Sequence, residues 1–73
     1  MKDKIILNIL KYIDTKDNSF KSAALEQLKL LAKHYRVTIK NAPKIELKTA
    51  LYQFIDNGTG YINTIPKLFN SLK

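Results

Sequence analysis

The stretch from Leu28 to Leu51 reads LKLLAKHYRVTIKNAPKIELKTAL, and three kinds of local order follow one another in it. Leu28, Leu31, Ala32 and Tyr35 recur at spacings of three and four, which sets one apolar stripe on a helix. From Arg36 to Asn41 the period changes. Val37 and Ile39 alternate with Thr38 and Lys40, the pattern of a short extended segment that buries every second side chain. Ala42-Pro43 follows, and proline pushes the preceding residue out of helical geometry while being accepted in a first helical turn. A helix is therefore expected to open at this pair. Leu47, Leu51, Phe54 and Ile55 carry its buried stripe, and Asp56-Asn57-Gly58 stops it, with Gly58 as the expected left-handed cap.

Helices flank this unit on both sides. Between Lys4 and Ile13, the residues Ile5, Ile6, Ile9, Leu10 and Ile13 keep the helical spacing, and the polar run Asp14 to Ser19 ends it. The next helix is expected to start at Asn18, Ser19 or Ser22, all good N-caps, and to reach about Tyr35. Near the end of the chain, Pro66 to Leu72 reads as a closing helix that buries Leu68, Phe69 and Leu72. The fold class is all-α: a small bundle of three to four short helices in one domain, 1–73, built on a helix–extended linker–helix core. Leu28, Leu31, Val37, Leu47, Leu51 and Phe54 are the expected shared core. Leu7 and Tyr12 widen the apolar face of the first helix, and the reading assigns that surplus to the core too.

A chain of 73 residues, 45% of them hydrophobic, buries only about 60% of its unfolded surface, so its core must be well patterned. Zero Cys excludes disulfides and thiolate metal sites, and a single His excludes an all-imidazole site. The six acids are scattered and mostly flank helix ends, where capping accounts for them. His34 has no nucleophile or carboxylate partner in the pattern, and no glycine-rich phosphate loop or nucleophile elbow occurs. The glycine turn after Phe54 superficially matches a calcium loop, but Ile55 and Pro66 then fall where oxygen ligands are needed. No enzyme, cofactor or metal is expected. The apolar run Ile5 to Leu10 is far short of a membrane span or a signal peptide, so a cytoplasmic protein is expected.

Charge carries the functional signal. Thirteen Lys+Arg against six Asp+Glu give +7. Within Lys29 to Lys48, Lys29, Lys33, Arg36, Lys40, Lys44 and Lys48 face only Glu46, which leaves +5 in that stretch. Lys, Ile and Asn all have A/T-rich codons, so a low-GC genome is the alternative source of the lysine excess. With one Arg, contacts to phosphates are favoured over reading of base edges.

The same stretch resembles a SAP motif and its helix–extension–helix relatives over residues 22–55. Leu28, Leu31 and Tyr35 match the first helix of that family, Val37 and Ile39 its linker, and Lys44-Ile45-Glu46-Leu47 with Leu51 the opening of its second helix. Arg36 stands where the family has glycine, and the linker is one residue longer. The resemblance implies binding of double-stranded DNA, with Lys40, Asn41, Lys44 and Lys48 on phosphates; Lys33 and Arg36 complete the candidate set. The expected function is thus a small non-enzymatic DNA-binding protein. The alternative is a phage or mobile-element protein that binds and inhibits a host protein through its first helix or its Phe69-bearing tail.

Overall fold

Helix α1 spans Lys2–Thr15 and places Ile5 and Ile9 fully inside. The computed structural model describes residues 2–40, 42–56 and 62–73. Lys16 ends α1 with a left-handed φ of 59°, and its N–H donates to the Tyr12 carbonyl at 2.7 Å. The chain then enters α2, Asn18–His34, almost at once. Asp17 caps that helix, its carboxylate accepting from the Ser19 N–H at 2.9 Å. This hydrogen bond holds the Asp17 carboxyl below the usual carboxylate range. The cap therefore sits one residue ahead of the expected Asn18, Ser19 or Ser22. It does so because the Asp17 carboxylate reaches the second helical N–H.

α1 and α2 form an antiparallel hairpin. Asn8 Nδ2 donates to Gln27 Oε1 at 3.0 Å, the Lys11 ammonium lies 5.5 Å from the Phe20 ring centre, and that of Lys21 lies 5.8 Å from Tyr12. Ala24 and Ala32, small and buried, let other elements approach α2 closely.

At the end of α2 the Val37 N–H donates to Ala32 O at 2.8 Å and the Arg36 N–H to Lys33 O at 3.2 Å. Those two bonds, with Arg36 at φ 55°, make a Schellman motif in which arginine takes the left-handed position usually given to glycine. The backbone from 37 to 40 and from 42 to 46 has no regular structure. Val37, Ile39 and Ile45 are half-buried against the core, so the expected alternation holds in a milder form.

α3 spans Leu47–Asp56, and so begins well after the Ala42-Pro43 pair expected to open it. The reason is tertiary. Asn70 Nδ2 donates to Ala42 O at 3.1 Å, and Ser71 Oγ accepts from the Ile45 N–H at 3.1 Å, so this backbone is bonded to the last helix. That helix, α4, spans Ile65–Leu72 and carries Pro66 in its first turn. Its buried residues Ile65, Leu68, Phe69 and Leu72 fall at i, i+3, i+4 and i+7. The expected Gly58 cap lies outside the described residues.

One hydrophobic cluster takes side chains from all four helices, with Phe54, Ile5, Ile9, Leu28, Ile65 and Leu68 fully enclosed. The fold is all-α, and no strand occurs among the described residues. Leu28, Leu31, Leu51 and Phe54 lie in the core as expected, while Val37 and Leu47 pack half-buried against it. Four burial expectations fail, one of them at Tyr35, which ends the apolar stripe of α2 and is 37% exposed. Leu7 is 52% exposed, Leu10 is 48% exposed and Ile55 is 38% exposed. α1 carries more large apolar residues than its neighbours can cover, so part of its stripe faces outward.

Leu51→Ala removes a buried side chain and should cost about 2–5 kcal/mol of stability by chemical denaturation. Leu7→Glu should shift the same transition by less than about 1 kcal/mol, because that side chain is already in water. Equal losses for the two would contradict this placement of α1.

Candidate functional site

Lys29 and Lys33 lie one turn apart on the same face of α2, and both are exposed. Arg36 follows at the left-handed turn, and Lys40 and Lys44 lie on the non-helical linker, all three exposed. Among the described residues, none of Lys33, Arg36, Lys40, Lys44 or Lys48 is held in an ion pair. Asn41 lies outside the described residues.

The fold gathers three lysines from three separate elements. Lys29 of α2, Lys40 of the linker and Lys73 after α4 line a cleft of about 580 Å³ whose apolar floor is Leu25, Ile39 and Phe69. Asn70 forms the remaining wall, and its Nδ2 donates at 3.1 Å to both Ile39 O and Ala42 O. The Lys29 ammonium sits 6.0 Å from the Phe69 ring centre. No carboxylate is among these lining residues, so the cleft carries positive charge over an apolar base. Sequence reasoning missed Lys73, because only the packing of α4 brings it beside Lys40.

Lys48 is placed elsewhere. It lines a second cleft, about 140 Å³, with Leu10, Ile13, Leu51, Tyr52 and Ile55, between α1 and α3. Lys40 and Lys48 therefore line different clefts. The start of α3 also bears on the phosphate contacts expected at Lys44 and Lys48. Lys44 precedes the helix, the Ile45 N–H is taken by Ser71 Oγ, and the first turn closes from Glu46 O to the Ala50 N–H at 2.9 Å. The Glu46 carboxylate at this helix start competes with an incoming phosphate.

Among the described residues no group of three or more His, Cys, Asp or Glu is placed to hold a metal ion. His34 sits edge-to-face with Tyr35, ring centres 4.9 Å apart. No helix is long and apolar enough to cross a membrane. Phe69 is only 6% exposed, so the tail offers no aromatic contact to a partner.

Comparison of the chain with known protein families, with characterised proteins and with solved structures finds no match.

Two substitutions test how the basic linker is held. Asn70→Ala leaves two part-buried carbonyls without their donor and should cost about 1–3 kcal/mol. A melt unchanged by this substitution would mean that α4 does not anchor the linker. Arg36→Gly should instead raise stability by about 1 kcal/mol, since glycine takes the left-handed conformation without the penalty arginine carries. Loss of stability there would mean that the arginine side chain supports the fold.

Proposed function

We propose that the protein is a non-enzymatic DNA-binding protein that contacts duplex DNA mainly through its phosphates. The observation that carries this reading is the series of exposed cations from α2 through the linker that hold no ion pair among the described residues, two of which, Lys29 and Lys40, share a cleft with Lys73. Each such lysine displaces condensed counterions from DNA when it meets a phosphate, so a cluster of them binds a polyanion without any pocket for a base. A single arginine leaves little capacity for bidentate reading of guanine, and affinity is nearly independent of sequence. The reading takes Lys33, Arg36, Lys40, Asn41 and Lys44 as phosphate contacts and adds Lys29 and Lys73 from the cleft, while Lys48 lines the other cleft.

The alternative of a module that binds a host protein keeps only one of its two expected contacts. Phe69 is only 6% exposed, at the floor of the basic cleft, while Leu7 and Leu10 of α1 are about half exposed.

Anisotropy titrations of a labelled duplex over a salt series test the proposal. Four phosphate contacts should give a slope of log K against log[salt] near roughly −3.6. Lys40→Gln with Lys73→Gln should flatten it by about 1.8, whereas Lys4→Gln with Lys48→Gln should change it little. Equal weakening by the two pairs would reduce the interaction to diffuse charge. Binding no tighter than that of an unrelated protein of similar charge would sink the DNA reading outright.

A further inference from the structure

The cleft that Lys29, Lys40 and Lys73 share has a floor that phosphate contacts leave unused. A duplex phosphate meets the ammonium groups and gains nothing from Leu25, Ile39 and Phe69 beneath them. At about 580 Å³ the cleft is of the size that takes a small molecule, and such sites set a few polar groups in a mainly apolar lining. Leu25 and Ile39 are half-buried, so each keeps apolar surface open to the cleft, while Phe69 closes its base. The Lys29 ammonium stands 6.0 Å from the Phe69 ring centre, which sets a positive charge directly beside apolar surface.

The charges around the cleft narrow its occupant. Lys29, Lys40 and Lys73 are all exposed, and Asn70 adds no charge to the lining. The Asn70 amide is engaged with Ile39 O and Ala42 O, so it serves the linker. The one acid of α2, Glu26, lines an adjoining groove with Ser22 and shares Leu25 and Lys29 with the cleft. Even against Glu26 and a main-chain carboxylate at Lys73, the three ammonium groups remain in excess. Lys33, exposed one turn beyond Lys29 on the same face, adds to that excess. A cation is repelled here, and a neutral apolar molecule leaves the ammonium groups unused. An apolar body that ends in an anionic group uses both parts.

We propose that this cleft binds a single-chain amphiphile with an anionic head group. The head group lies among Lys29, Lys40 and Lys73, and the alkyl chain covers Leu25 and Ile39. This goes beyond DNA binding and does not depend on it.

Titration calorimetry of the full chain with decanoate, without nucleic acid, tests it. One equivalent should bind with a dissociation constant on the order of 0.1 mM. Octanoate, two methylenes shorter, should bind about tenfold more weakly, and so should decanol, which carries no charge. Lys40→Gln with Lys73→Gln should raise the dissociation constant for decanoate about tenfold, whereas Lys4→Gln with Lys48→Gln should change it by less than about twofold. All four side chains are exposed, so circular dichroism and thermal melt should stay unaltered. A wild-type chain that does not bind decanoate overturns the proposal, whatever glutamate-rich peptide it binds instead. Inorganic phosphate or octanoate binding as tightly as decanoate reduces the cleft to a bare anion seat and overturns it too. Equal weakening by the two pairs makes the attraction diffuse charge, and a larger effect of the pair with Lys48 moves the ligand to the cleft between α1 and α3. Either result overturns the proposal as well.

Discussion

The side-chain amide of Asn70 holds the path of the linker, and most of the molecule's particular features follow from that. Backbone at 37–40 and 42–46 has no helical ladder, so its polar groups must find partners elsewhere. Asn70 gives its two hydrogens to Ile39 O and Ala42 O, and Ser71 Oγ takes the Ile45 N–H. With the chain tied at these points, Ile39 and Ile45 lie against the core and α3 starts only at Leu47. Lys40 comes to rest beside Lys29 and Lys73. α4 is held in turn by four buried side chains on one face, so its polar edge can serve as a rigid strap.

What could be read along the chain was whatever depends on local period. α1, α2 and α4 announce themselves through apolar spacings of three and four, and the break at Arg36 through alternation. The start of α3 was not legible, because Ala42-Pro43 fits either a helix start or an extended segment. Hydrogen bonds from residues far along the chain decide between them. Period also fails to say which apolar residues stay outside. Ile5, Ile6, Leu7, Ile9, Leu10, Tyr12 and Ile13 all belong to α1, yet only Ile5 and Ile9 are fully buried. The angle at which α2 and α3 approach makes that choice. The same limit hid Lys73, whose place beside Lys40 is a property of helix packing.

Arg36 is a place where local preference and fold disagree. Its φ of 55° costs an L-residue about 1 kcal/mol or more, and the Schellman hydrogen bonds on either side hold it there. Glycine satisfies the same backbone without that cost. Among the described residues, no ion pair of the exposed guanidinium offsets the penalty. Conflicts of this kind concentrate where a side chain serves something outside the fold. A cation held between Lys33 and Lys40 fits the proposed phosphate contacts, which is why this residue bears on the DNA proposal more than its single charge suggests.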